Sequence, residues 1–218
     1  MSPSHASTPR IQVRRIPERG HYDRETIHSI LDSSFLCHVG FVHDGHPVVV
    51  PTAFGRDGDT LYIHGSAASR MQRDVSQGVE VCVTVTVLDG LVLARSGFHS
   101  SMNYRSVVVF GTATPVTDDA EKTRVLAIIS EQILRGRWSD VRPPNAQELK
   151  ATSVLAIPLD EASAKIREGA PNDDEGDYAL DVWAGVVPVT VQYGNPVADE
   201  RMRPGIPVPE YVKKQHQR

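Results

Sequence analysis

The chain has 218 residues, of which 40% are hydrophobic and 23% are charged, a composition typical of one globular domain with a sizeable core. A net charge of −4 without any long basic segment argues against extended nucleic-acid binding. No apolar run approaches the roughly 20 residues of a membrane helix, and the polar first ten residues lack the apolar core of a signal peptide. We therefore expect a cytoplasmic protein that binds neither nucleic acid nor a membrane.

Strand signals dominate the first half of the chain. After a flexible N-terminal arm over residues 1–20, Asp23 is expected to cap a short helix over about 24–33. Strands are predicted over residues 35–43, 47–55, 60–64, 79–88, 91–96 and 104–116. Turns are predicted at Asp44-Gly45, Asp57-Gly58 and Asp89-Gly90, because Asp-Gly pairs favour hairpins. A short helix over 69–77 separates the third strand from the fourth.

The second half mixes helix and strand. An amphipathic helix is predicted over about 119–135, capped by Asp118 or Asp119. Its apolar side consists of Val125, Leu126, Ile129 and Ile133. The pattern then predicts a short helix near 145–151, a strand over 153–166, an acidic loop over 168–178 and an extended C-terminal tail over 194–218. Short strands at hairpin spacing with few helices predict a mostly β, antiparallel barrel in one domain over 21–193.

Two polar clusters interrupt these strands. The first, residues 64–70 (HGSAASR), follows one strand, and the second, residues 100–106 (SSMNYRS), precedes the apolar run 107–110. Each combines small hydroxyl residues with one arginine, and such donors around a guanidinium suit a phosphate or another planar anion. The alternative for the first cluster, which its pattern alone slightly favours, is an ordinary helix cap with a surface arginine, and the alternative for the second is a polar strand end.

The histidines and cysteines give few further signals. Nine histidines are present, but their spacing matches no metal-binding motif, so most are expected to be structural or exposed. His64 is the exception, because it opens the first cluster and could hydrogen-bond a cofactor or transfer a proton. Cys37 and Cys82 lie in apolar runs and are expected to be buried free thiols. Trp183 either closes over a flat ligand or anchors the C-terminal segment.

Taken in order, these segments resemble the pyridoxamine 5′-phosphate oxidase-like family of FMN-binding split barrels, and more closely its nitroimidazole-resistance-type branch. The resemblance covers about residues 22–190. It is carried by residues 35–40 (FLCHVG), the strand 47–54, residues 61–66 (LYIHGS), Ser69-Arg70, residues 101–111 (SMNYRSVVVFG) and residues 183–188 (WAGVVP).

The resemblance implies a six-stranded antiparallel split β-barrel that forms a homodimer, with FMN, or else FAD, at the interface. It implies that Ser69 and Arg70 contact the flavin phosphate and that Thr52 lies along the isoalloxazine ring. His64 matches a histidine beside the flavin and is the candidate catalytic residue. The other residues predicted to bind the cofactor are Ser66, Asn103, Tyr104, Arg105, Ser106 and Trp183. The two clusters would then form two walls of one pocket.

The implied function is a flavin-dependent oxidoreductase that passes electrons from a reduced nicotinamide to a small acceptor, such as a nitro compound or a quinone. Two alternatives stay open: a non-catalytic flavin carrier or sensor, and a heme-binding relative with a histidine as axial ligand. The sequence departs from the family at two places. Met71 follows Arg70 where many members carry lysine, and no Arg-x-His motif follows Trp183. Pyridoxamine 5′-phosphate oxidation is therefore not expected.

Overall fold

The computed structural model describes residues 8–215, which form an antiparallel β-structure with short helices. The strands are β1 (Gly20–His21), β2 (Leu36–His43), β3 (His46–Asp57), β4 (Thr60–Ser66), β5 (Glu80–Leu93), β6 (Ser101–Thr112), β7 (Thr114–Pro115), β8 (Thr152–Pro158), β9 (Glu161–Arg167) and β10 (Gly185–Pro188). The helices are α1 (Arg24–Asp32), α2 (Arg70–Ser76), α3 (Asp119–Ile133), α4 (Ala146–Ala151) and α5 (Glu210–Gln215).

The strands pair in the order β1-β9-β6-β5-β2-β3-β4-β8-β7, and β10 adds to β5 beside this path. The sheet folds back on itself, because side chains from strands far apart in this order share one buried core. That core includes Val39, Phe54, Leu61, Val83, Val107, Leu155 and Ala164. A smaller cluster, formed by Tyr62, Val125, Ile129 and Val154, packs α3 against the opposite face of β4 and β8.

Side-chain caps begin the helices where the sequence predicts them. Asp23 accepts a hydrogen bond from the Thr26 N–H at 2.8 Å, and Asp118 does the same from the Glu121 N–H at 2.8 Å. Asn145 and Glu148 form a capping box at the start of α4. These caps satisfy backbone donors that a helix otherwise leaves unpaired.

The mostly β, antiparallel prediction is confirmed, while the number of strands differs from six. Three of the ten strands among the described residues, β1, β7 and β10, have only two to four residues, too few for a periodic pattern. The single strand predicted over 153–166 is two strands, β8 and β9, with different neighbours in the sheet.

The turn predicted at Asp89-Gly90 is wrong. β5 runs through these residues, and its register against β6 shifts between Leu88 and Gly90 as a bulge. Gly90 is required there by close packing of β10, since a Cβ atom on it would lie 3.0 Å from Val186 Cγ1.

The described parts of both predicted terminal segments make contacts. Near the N-terminus Ile11 is 1% exposed, and Arg10 forms ion pairs with Glu80 and Glu161. In the predicted tail, Tyr211 of α5 accepts a hydrogen bond from Arg137 at 3.1 Å. Residues 1–7 of the predicted arm and 216–218 of the tail lie outside the described residues. None of the helices in the described range is long and apolar enough to cross a membrane.

Candidate functional site

His64 lies near the end of β4, on the face that α3 covers. Leu61 and Ile63 of the same strand point into the main core, whereas Tyr62 packs against Ile129 on the other side. Because side chains alternate along a strand, His64 shares the face of Tyr62. There it lines a pocket of about 430 Å³ between β4, α3 and the chain leading into α4.

Apolar side chains form most of this pocket. Its walls include Leu126, Ile129, Ile133, Trp138 and Pro144. At the rim, Arg142 donates two hydrogen bonds to the Glu148 carboxylate, at 2.8 and 2.5 Å. The pairing lowers the pKa of Glu148 to about 2, mainly through the bonds from Arg142. A flat apolar ligand with an acidic edge would fit such a pocket.

The His64 imidazole has no hydrogen-bond partner among residues 8–215, and its Nδ1 atom is buried. Burial lowers the pKa of His64, so the ring is neutral at physiological pH. A buried polar atom without a partner costs about 1–3 kcal/mol. A neutral imidazole with a free lone pair beside an apolar pocket can accept a hydrogen bond or ligate a metal.

The first cluster presents one free cation. Arg70 is exposed and makes no hydrogen bond or ion pair within the described part of the chain. The Ser69 hydroxyl caps α2 by accepting from the Gln72 N–H at 3.3 Å, and the Ser66 hydroxyl accepts from the Ala68 N–H at 3.3 Å. Met71 is uncharged and its side chain is buried in the main core, so this position offers a ligand neither a second charge nor a contact surface.

The second cluster is mostly engaged inside the chain. Arg105 donates to Asp89 through Nε at 3.0 Å and Nη2 at 2.8 Å. These bonds raise the pKa of Arg105, and the carboxylate charge of Asp89 balances that of the guanidinium. Asn103 is buried; it donates to the Gly169 carbonyl at 3.1 Å and accepts from the buried Arg167. The Ser106 hydroxyl donates to a backbone carbonyl of β9 at 3.4 Å, while Tyr104 is half-buried.

No described contact brings the two clusters of one chain together. In the sheet order, β5, β2 and β3 lie between β4 and β6. Arg105 lies near the start of β6, whereas the turn after α2 faces Thr112 at the other end of that strand. Arg105 and Thr112 are seven positions apart on this extended strand, or about 23 Å. Within residues 8–215 no hydrogen bond or ion pair joins the clusters.

Thr52 and Trp183 lie apart from the His64 pocket. Thr52 pairs with Cys37 across β3 and β2 and is half-buried. Trp183 is 67% exposed just before β10, and its indole packs on Gly185. Exposure on this scale leaves the indole face free for a ligand or a second chain.

One group of possible cation ligands, His99, Asp173 and Asp177, lies within reach of a single ion. Asp173 already accepts hydrogen bonds from Arg95 and from the Ser96 N–H. These bonds occupy both carboxylate oxygens of Asp173. We therefore interpret the group as a structural contact that joins the loop of Asp173 to the loop of Arg95 and Ser96.

Comparison with known proteins identifies the family. The model of the family described as pyridoxamine 5′-phosphate oxidase matches residues 23–166, more than half of the chain. The chain belongs to this family. Among curated proteins none matches this member significantly.

Several solved structures are similar to this family member. The flavocytochrome Anf3 from Azotobacter vinelandii is 41% identical, with a TM-score of 0.91 over 96% of this chain and 98% of the other. The FAD and heme binding protein from Mycobacterium smegmatis is 40% identical, with a TM-score of 0.86 over 90% and 97% of the two chains.

A candidate 5-nitroimidazole antibiotic resistance protein from Bacteroides thetaiotaomicron is less similar. It is 26% identical, with a TM-score of 0.56 over 67% of this chain and 86% of the other. The family assignment made from sequence is thus confirmed. The resemblance is stronger to the two heme-related structures than to this member of the nitroimidazole branch.

His64 is recognisable from the sequence, whereas the pocket around it is not. Trp138 and Arg142 lie more than 70 positions away in the sequence, and only the packing of α3 and the following segment brings them to His64. One signal was available: Leu126 and Ile133 widen the apolar stripe of α3 beyond the side that Val125 and Ile129 bury in the core.

Proposed function

We propose that this chain is a flavocytochrome-type redox protein that binds FAD and heme. Two relatives at about 40% identity, whose similarity spans nearly the whole chain, support this function. In this chain the proposal depends above all on the unpartnered imidazole of His64 beside an apolar pocket. Heme binding through a histidine is one of the two alternatives that the sequence left open.

The His64 pocket fits a heme by its chemistry. His64 would bind the heme iron, and Leu126, Ile133 and Trp138 would contact the apolar part of the group. At the rim Arg142 would pair with an acidic heme substituent, exchanging its bond to Glu148. A volume of about 430 Å³ is also within the usual range of small-molecule sites.

The surroundings of His64 suit the role of an iron ligand better than the role of a proton donor, which the sequence suggested. A general acid must carry a proton, and burial works against the charged form of this ring. A ligand must be neutral, which burial favours. We therefore assign His64 to cofactor binding within this proposal.

The flavin would occupy a separate site at a homodimer interface. Arg70, free of partners among the described residues, would neutralise the phosphate with Ser69 beside it, and Thr52 would lie along the ring. The second cluster and Trp183 would come from the second copy, because three strands separate β4 from β6 in the sheet order of one chain and no hydrogen bond or ion pair joins the two clusters among residues 8–215. In a dimer, the predicted site residues could therefore surround one flavin although they lie apart within a single chain.

FAD is proposed over FMN because one of the two similar structures is described as an FAD and heme binding protein. When bound, a flavin exchanges electrons with a reduced nicotinamide in pairs, and a heme accepts them singly. The chain itself binds, orients and shields both groups. In the proposed reaction, electrons pass from a reduced nicotinamide to a small molecule as the final acceptor.

Absorption spectra of the purified protein test the heme site. We expect flavin bands together with a Soret band, and we expect His64→Ala to lose the Soret band while keeping the flavin. His46→Ala is the matched control, since His46 is exposed at the start of β3, where it pairs with His43. A Soret band of unchanged intensity in a folded His64→Ala protein would contradict the assignment.

A second experiment tests the flavin phosphate site. Arg70→Ala should weaken flavin binding about 10- to 100-fold, because a charge-assisted hydrogen bond contributes about 1.5–3 kcal/mol. Arg203→Ala removes an equal charge from an exposed position near the C-terminus and should not change the affinity. Equal affinities in the two variants would show that the phosphate lies elsewhere.

A further inference from the structure

A second cleft, separate from the His64 pocket, lies between α2, the residues after β7 and the start of β8. Its volume is about 370 Å³. Its polar lining includes Gln72, Arg73, Thr117, Lys122, Lys150 and Ser153. Three of the described residues lining this cleft are cations and none is acidic.

The three cations are largely free. Within the described range, Arg73 and Lys150 make no side-chain hydrogen bond and no ion pair. Lys122 uses one of its three donors, from Nζ to the Leu149 carbonyl at 3.3 Å. Their charges therefore remain available to a ligand in the cleft.

Gln72 adds a buried polar group to the same cleft. Its side chain is 1% exposed, yet neither Oε1 nor Nε2 has a hydrogen-bond partner among the described residues. Gly65 closes one side, since a Cβ atom built there would lie 3.1 Å from Gln72 Nε2. Buried amides in native proteins are nearly always satisfied, so an unpaired one at a cleft points to a missing ligand or water.

We propose that this cleft binds the phosphate or pyrophosphate group of a small molecule. Lys122, Lys150 and Arg73 would neutralise the charge, hydroxyls such as those of Thr117 and Ser153 would donate to its oxygens, and Gln72 would supply a buried amide donor. Several cations and hydroxyl donors without a carboxylate match a multiply charged oxyanion. A polymer such as nucleic acid would instead require a basic surface, and the net charge of the chain is −4.

The phosphate could belong to a free metabolite or to the flavin nucleotide, and the second source rests on the proposed function. α2 connects the two regions, because Arg70 begins this helix and Arg73 lines the cleft. The same variants distinguish the sources when pyrophosphate binding and flavin content are both measured.

A calorimetric titration tests whether the cleft binds phosphate groups. The protein is used as purified, and pyrophosphate is added at a fixed salt concentration. We expect binding that weakens about tenfold in Lys122→Gln and in Lys150→Gln, as for the loss of one charge-assisted hydrogen bond. Gln72→Leu should also weaken it. Lys214→Gln, an equal change of charge on exposed α5, is the control and should bind like the parent protein.

The outcome also assigns the source. Pyrophosphate binding with the flavin retained would indicate a separate metabolite site. No pyrophosphate binding, combined with less flavin per chain in Lys150→Gln but not in Lys214→Gln, would place the flavin phosphate in the cleft. If pyrophosphate does not bind and flavin content is unchanged, or if the cleft variants bind like Lys214→Gln, the proposal is wrong. Loss of the heme assignment would leave the pyrophosphate result intact, so the two proposals fail separately.

Discussion

Arg105 on β6 and Asp89 on β5 are joined by two hydrogen bonds, Nε to Oδ2 at 3.0 Å and Nη2 to Oδ1 at 2.8 Å. Asp89 lies where the register between the two strands shifts. The ion pair thus joins the two strands at the bulge, next to the segment of β5 that pairs with β10. It also means that the charge of Arg105 is not free for a ligand unless Asp89 is displaced.

A double-mutant cycle with Asp89→Asn and Arg105→Gln should measure this coupling. We expect only about 0.5–1 kcal/mol, because both side chains are about one-third exposed and solvent screens the pair. Urea denaturation of the four proteins gives the value. A coupling near zero would show that backbone pairing alone holds the bulge.

Asp173 should make stability depend on acid pH. Burial alone would raise the pKa of Asp173, but hydrogen bonds from Arg95 and Ser96 outweigh burial and lower the pKa. A carboxylate with a lowered folded pKa stabilises the fold above its unfolded pKa, near 4. That stabilisation is lost as the pH falls from about 4 through the folded pKa.

Urea midpoints measured between pH 7 and pH 3 test this linkage. Asp173→Asn should be less stable than the parent at pH 7 and should lose less stability on acidification. Asp181→Asn changes an exposed carboxylate without a partner among the described residues and should follow the parent. Parallel pH profiles for all three proteins would contradict the role of Asp173.

Two Asp-Gly pairs show how far local sequence determines local structure. Asp44 and Gly45 have φ angles of 48° and 78°, as a two-residue hairpin turn requires, and the turn predicted there is confirmed. Asp89-Gly90 carries the same signal, but the strand continues through it. The difference arises from pairing with β6 and β10, which are distant in sequence, so local patterns could not reveal it.

The candidate site was predictable to a similar extent. Residues adjacent in sequence, such as His64 and the hydroxyls of the first cluster, were recognised because their spacing alone suggests a ligand. The pocket walls at Trp138 and Arg142 follow from how α3 and the segment after it pack on β4. Likewise, the Asp89 partner of Arg105 depends on strand register, which a single sequence specifies only weakly.

Two glutamines should respond oppositely to the same substitution. Gln72→Leu removes two buried polar atoms that lack partners, so the protein should be equally stable or more stable by about 1–2 kcal/mol. Gln132→Leu removes donors to the Leu31 and Ser34 carbonyls, at 3.1 and 2.7 Å, and should cost about 1 kcal/mol. Urea denaturation without added phosphate measures both. A clear loss of stability in Gln72→Leu would mean that its amide is satisfied in solution, for example by water.

The two cysteines should differ in reactivity towards alkylation. Burial raises the pKa of Cys37 to about 12, and it also raises the pKa of the partly buried Cys82. Only the thiolate reacts, and at pH 8 a thiol with a pKa of about 12 is ionised to about one part in 10⁴. In the native protein, iodoacetamide should therefore modify Cys82 slowly and leave Cys37 unmodified, whereas both should react in urea. Mass spectrometry of tryptic peptides at successive times measures the two rates, and native modification of Cys37 as fast as that of Cys82 would show that the barrel opens at β2.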